Sequence, residues 1–136
     1  MSEEYVLRRH GAPPLKFRGE LLGEYSSRSH NGPRQTRWHE LALYRTEAGK
    51  LVASIRFRTS WLGEQEKDVV FVCDDEKALI DALQNDFNPH AGWEGHPFGS
   101  RDAKRKNALI AESITDGYGR AVADLLSAAG IVETIE

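Results

Sequence analysis

The sequence predicts an α+β fold: a four-stranded antiparallel β-meander with a following helix and a long or kinked C-terminal helix packed on one face. Three observations predict it. Residues 37–59 (RWHELALYRTEAGKLVASIRFRT) form two runs rich in apolar, aromatic and β-branched residues, each alternating roughly with period two around Glu47-Ala48-Gly49. Shorter runs of strand character precede it at residues 15–25 and follow it at residues 68–73. After Asp74 the apolar residues recur at helical spacings of three and four.

Taken in order, residues 1–14 read as loosely ordered, with Gly11 and Pro13-Pro14 marking the start of the fold. Residues 15–25 (LKFRGELLGEY) read as strand one, since Leu15, Phe17, Gly19 and Leu21 alternate with Lys16, Arg18, Glu20 and Leu22. Gly19 and Gly23 are candidates for bulges or strong bending. Residues 26–35 (SSRSHNGPRQ) are polar and turn-rich, an exposed connection.

The turn between strands two and three selects their register. A two-residue Ala48-Gly49 loop would need a positive φ at Ala48, or Gly in first place. A three-residue loop with Gly49 in the left-handed region needs Gly where it stands. That register opposes Leu43 to Ala53, Leu41 to Ile55 and His39 to Phe57, and collects Leu41, Leu43, Leu51, Ala53, Ile55 and Phe57 on one face, which must be buried. The opposite face carries Trp38, Glu40 and Tyr44 against Arg56 and Arg58.

Residues 68–73 (DVVFVC) read as strand four, apolar on both sides of Val69–Cys73 and therefore covered twice or set against a partner subunit. Asp74-Asp75-Glu76 opens a helix, where carboxylates suit the positive end of the helix dipole and an Asp caps it. Leu79, Leu83 and Phe87 form its stripe, and Asn88-Pro89 ends it. A C-terminal helix follows Ser100 with Ile110, Ile114, Tyr118, Val122, Leu125 and Ala129 on one stripe. Gly117 and Gly119 each weaken it by about 1 kcal/mol relative to Ala and mark a site for a kink. Gly130 is its C-cap, and residues 131–135 are β-prone. In element order, ββββα, the chain is similar in outline to whirly-type single-strand-binding modules. The likeness is one of topology, and no motif residue carries it.

At 136 residues the chain suits a single domain, residues 1–136, with a core of its own. No apolar run approaches the roughly 20 residues of a membrane span, and the start lacks the apolar core of a signal peptide. The lone Cys73 excludes an intramolecular disulfide and fits a reducing cytoplasm. Residues 1–62 hold eleven Lys and Arg against six Asp and Glu, a net of +5, and residues 63–136 a net of −8. Either the first half bears a basic binding face, or the two halves complement each other within the fold.

The chemistry-bearing candidates are few. Glu40 opposite Arg56 and Trp38 opposite Arg58 form either a cross-strand salt bridge and a cation–π contact, each worth about 0.2–1 kcal/mol, or a basic-aromatic platform for a polyanion. The platform reading makes Trp38, Tyr44, Arg56 and Arg58 the binding residues, joined by Lys16 and Arg18 from the neighbouring strand. Its partner would be a second copy of the chain, a protein or a single-stranded nucleic acid, and no cofactor is called for. The loop at residues 88–100 (NPHAGWEGHPFGS) is too rich in Gly and Pro for regular structure, yet holds Trp93, Phe98, His90 and His96. It reads either as a packed structural loop or as a metal site built on His90 and His96 with Asp86 or Glu94, the alternative in which the protein is an enzyme or metal-dependent. Cys73, before a helix N-terminus but beside Asp74, Asp75 and Glu76, reads as a buried inert thiol. Lys104-Arg105-Lys106 is a solvated face or a phosphate contact. No GxSxG, GxxxxGK[ST], HExxH, CxxC or GxGxxG pattern occurs, which excludes no enzyme but supports no named reaction, and the first reading of the chain is a non-enzymatic binding or assembly module.

Overall fold

The computed structural model describes residues 2–28, 36–62, 64–89 and 101–131. It is an α+β fold with one antiparallel sheet in the order β1-β2-β3-β4-β5, a meander of five strands rather than four. The strands are β1 (Glu3–Arg9), β2 (Ala12–Ser26), β3 (Arg37–Thr46), β4 (Leu51–Thr59) and β5 (Lys67–Cys73). Helix α1 (Glu76–Asp81) runs into a π-helical turn (Ala82–Asp86), and α2 (Arg101–Ala128) is one continuous helix through Gly117 and Gly119.

The additional strand is β1, in the segment that reads as loose. Its composition is polar, and only Tyr5 and Leu7 turn inward, so the alternation is too short to stand out. Pairing with β2 orders it, from Glu3 opposite Gly19 to Arg9 opposite Ala12. Pro13 and Pro14 are tolerated inside β2 because both fall in the register shift between Leu7 and Arg9, where neither is paired with β1, and β3 pairs with β2 only from Gly19 onward. The first half of β2 thus has a free edge, where a missing N–H costs no ladder bond.

Strand β2 is what bends the sheet. Its first half pairs with β1 and its second half with β3, and the register shifts between Leu21 and Gly23. At Gly19 the backbone of β3 comes so close that a Cβ there would lie 2.1 Å from the Arg45 carbonyl oxygen. The sheet curls until β1 reaches β5, where His10 N–H donates to the Asp68 carbonyl at 3.0 Å and Asp68 N–H donates to His10 Nδ1 at 2.7 Å.

The β3–β4 hairpin has the register that its turn dictates. Leu41 opposes Ile55, Leu43 opposes Ala53 and His39 opposes Phe57. Gly49 has φ 88°, and Thr46 N–H donates to the Lys50 carbonyl at 2.8 Å.

The convex side of the sheet holds the main core. Leu43, Ile55, Leu79, Leu83 and Leu125 are fully buried there, each worth about 1.5–3 kcal/mol relative to exposure. On α2, Ile114, Tyr118, Val122 and Leu125 are buried, with Ile110 and, just past the helix end, Ala129 partly so, and Ala121 and Leu126 join them. Asp75 caps α1 by accepting from Ala78 N–H at 2.8 Å. Gly130 N–H donates to Ser127 O and Ile131 N–H to Leu126 O, the paired bonds of a Schellman cap on α2. His39 lies in this core against Phe57, Phe87 and Tyr118, with ring centroids 5.1–5.6 Å away.

The concave side holds a smaller cluster of Tyr5, Leu7, Leu15, Phe17, Tyr44 and Val52, with Val70. Strand β5 is therefore covered on both sides by its own chain, Val69 and Phe71 towards the helices and Val70 towards the concave cluster, while Val72 remains 49% exposed. Among the described residues no helix is long and apolar enough to cross a membrane. The five-strand order also departs from the ββββα outline of the whirly-type modules.

A polar cleft on the concave face as candidate functional site

The register that buries Leu41, Leu43, Ala53 and Ile55 against the helices turns the alternate residues of β3 and β4 to the concave face. Sequence reading leaves that face either as self-matched cross-strand pairs or as one open platform. The structure divides it into three parts.

At one end Tyr44 is buried, 7% exposed, beneath Tyr5 and Phe17, with ring centroids 4.7 and 5.3 Å away. The ordered N-terminal strand and the curl of β2 place those two rings there. Tyr44 is thus a wall between aromatic cluster and solvent, not an open stacking platform.

At the other end the two cross-strand pairs are replaced by others. Glu40 reaches diagonally to Arg58 Nε at 3.3 Å instead of across to Arg56. Arg58 Nη1 also lies 3.1 Å from Asp68 and 3.9 Å from Glu66. The cation over the Trp38 ring is Arg28, 4.3 Å from its centroid, and not Arg58. The reason is the start of β5, where Asp68 and, just before the strand, Glu66 come beside Arg58. A guanidinium with three carboxylates around it is neutralised locally.

Between these ends lies the cleft. Ala42 and Ser54 face each other in the ladder and leave a low floor between the larger Tyr44 and Arg56. Glu24 and Ser26 from the second half of β2, together with Glu40, complete the rim. The volume is about 400 Å³, within the range of sites that hold small molecules. Arg56 is half-buried and has neither ion pair nor hydrogen bond with any described residue, because Arg58 takes Glu40 and Asp68. The Tyr44 hydroxyl is held above its ordinary value, first by burial and then by the Glu24 charge, with Arg56 opposing both.

Lys16 and Arg18 do not join this site. Phe17 packs on Tyr44, so its neighbours in β2 turn to the opposite side of the sheet. There Lys16 pairs with Glu4 at 3.3 Å and Arg18 with Glu47 at 3.4 Å, all four side chains well exposed. Part of the charge asymmetry is met within the fold, where three cations of the first half pair with anions of the second. Arg37 pairs with Glu64 at 2.6 Å, Lys50 with Asp74 at 3.6 Å, and Arg58 with Glu66 and Asp68.

Cys73 is buried, and its thiol is pushed up by burial, with Asp74, Asp75 and Asp86 adding to the shift. Lys104, Arg105 and Lys106 are exposed on α2. His90 and His96, with Trp93, Glu94 and Phe98, lie outside the described residues, as do residues 29–35 and 132–136. Among the described residues no group of three His, Cys, Asp or Glu side chains is placed to hold a metal ion.

Sequence reasoning missed Glu24, Ser26, Ala42 and Ser54. The signal for two of them was present, because the hairpin register sets Ala42 opposite Ser54, a small pair between two large residues. No family model, curated protein or solved structure matches the chain.

Proposed function

We propose that this protein is a non-enzymatic binding protein of the cytoplasm, and that the cleft on the concave face of its sheet is the binding site. The observation that carries this reading is the depression of about 400 Å³ over Ala42 and Ser54, rimmed by Tyr44, Arg56, Glu24 and Glu40. Binding sites for small molecules combine such a volume with a few convergent polar groups. A site for a second copy of the chain or for a single-stranded nucleic acid draws less support. Arg58 is matched by three carboxylates, Arg28 covers Trp38, and Lys16 and Arg18 lie on the other side of the sheet.

The test is amide shift mapping of the full chain with a library of neutral and charged fragments. Shifts clustered at Glu24, Glu40, Ala42, Ser54 and Arg56, and lost in Ala42→Leu, are the expected result. Shifts that cluster elsewhere, or that persist when Leu fills the cleft, would overturn the reading. Tryptophan fluorescence with an oligonucleotide at two salt concentrations, and solution mass of the wild type and Trp38→Ala, check the nucleic-acid and self-association alternatives. A salt-sensitive fluorescence response, or a dimer lost in Trp38→Ala, would move the function to the Trp38 end of the face.

A further inference from the structure

We infer that the cleft takes a small zwitterion of the α-amino-acid type, its carboxylate on Arg56 and its ammonium group towards Glu24. This rests on the reading of the cleft as the binding site, and adds the chemical class of the ligand. Four observations converge on it.

The first is the pair of unmatched charges. Arg56 and Glu24 both line the cleft, and neither has an ion pair within 4.0 Å among the described residues. An exposed glutamate without a partner is ordinary, but a half-buried arginine without one is not, since guanidinium groups withdrawn from water are as a rule matched.

The second is how Arg56 comes to be free. In the ladder it stands between Glu40 on β3 and Asp68 on β5, the two carboxylates best placed to neutralise it. Both turn to Arg58 instead, at 3.3 and 3.1 Å. The ion cluster at that end satisfies one arginine and leaves the other facing the cleft.

The third is polarity along the cleft. The Tyr44 hydroxyl feels Glu24 and Arg56 with opposite sign, so both charges lie close to one phenol. A simple anion drawn to Arg56 would meet Glu24, and a simple cation drawn to Glu24 would meet Arg56. A ligand that carries both charges a few ångströms apart meets each with its complement.

The fourth is the floor. The Ser54 and Tyr44 hydroxyls have no hydrogen-bond partner among the described residues, and both line the cleft. They are available to a carboxylate bound at Arg56, where charge-assisted bonds are the strong ones. The volume admits an amino acid with its side chain, whereas a polynucleotide would set repeated phosphates against Glu24 and Glu40.

The experiment uses the full chain and the twenty L-amino acids, each at millimolar concentration, with the same amide map as the readout. The expected result is saturable shifting at Ala42, Ser54 and Arg56 by one or more of them. For the tightest, the deaminated acid and the decarboxylated amine should each bind roughly tenfold or more weakly, as should the wild-type ligand to Arg56→Gln. Arg56→Lys keeps the charge and should recover part of the loss, which separates a binding role from a folding defect, and Glu24→Gln should weaken the amino acid but not its deaminated acid. If no amino acid shifts these amides while neutral fragments do, the ligand class is wrong and the binding site stands. If nothing binds in the cleft, both fall. If the deaminated acid binds as well as the parent, or if inorganic phosphate does, the site is a plain anion site and the zwitterion proposal is refuted.

Discussion

The same substitution, Gly to Ala, should have opposite effects at two positions of this chain. At Gly19 an added methyl would lie 2.1 Å from the Arg45 carbonyl oxygen and 2.9 Å from Arg45 C and Thr46 Cα. All three are backbone atoms, so no side chain can swing aside. Strand β3 would have to retreat by about 1 Å or more to reach ordinary contact. The move strains the ladder where Gly19 opposes Thr46 and where Glu47 N–H donates to Arg18 O at 2.9 Å. Overpacking costs about 1–3 kcal/mol, here at the upper end because only backbone can give way, and restricting the unfolded chain returns about 0.4–1 kcal/mol, a net loss of roughly 2 kcal/mol. At Gly119 nothing lies within 4 Å of the added methyl, and the residue is exposed in the continuous helix α2. Ala should therefore gain about 1 kcal/mol there from helix propensity. Thermal and urea unfolding followed by circular dichroism measure both. Gly19→Ala should lower the melting temperature by roughly 5–10 °C, and Gly119→Ala should raise it by roughly 3–5 °C. A Gly19→Ala protein within about 0.5 kcal/mol of the wild type would refute the close approach of β2 and β3 on which the curl depends.

Four further outcomes follow from the packing. Tyr118 Oη donates to the Leu83 carbonyl at 2.6 Å in the core, and burial raises its hydroxyl far above the usual value near 10. Tyr118→Phe should cost about 1–3 kcal/mol in urea unfolding, and a loss too small to resolve would mean that the carbonyl has another partner. With the folded values raised, burial of Tyr118 and Tyr44 in their neutral form contributes fully below pH 10 and is lost as pH rises towards the folded values, so stability should fall in strong alkali, with the late phenolate absorbance appearing together with unfolding. Arg58→Met leaves Glu40, Glu66 and Asp68 facing one another and should cost about 1–3 kcal/mol at low salt, a deficit that narrows in high salt; a salt-independent deficit would point to lost packing instead. Cys73 should react with iodoacetamide at pH 8 much more slowly in the folded than in the urea-unfolded chain, and equal rates would contradict both its burial and its raised thiol.

Much of this architecture is legible in local pattern. The three-residue turn needs Gly at position 49, and from that one requirement the hairpin register follows, with the face that packs on the helices. The α2 stripe from Ile110 to Ala129 is set by its spacings alone. Strand β1 was not legible, because EEYVLRR offers two inward apolar residues and becomes a strand only when β2 lies beside it. The curl was not legible either. Gly19 and Gly23 signal bending, but not how far the sheet closes or which residues it brings over Tyr44.

The candidate site shows the same division. Sequence alone determined that Trp38, Glu40, Tyr44, Arg56 and Arg58 share one face, since period two and the turn leave no other choice. Which of them are matched and which are free was decided by the tertiary structure. Charges choose partners by distance in space, and the way β5 returns alongside β4 brings Glu66 and Asp68 to Arg58. Arg56 is left facing a cleft whose depth comes from the Ala42–Ser54 pair and whose far wall comes from β2. Periodicity assigns a residue to a face; only the packing of the flanking strands on that face assigns it a neighbour.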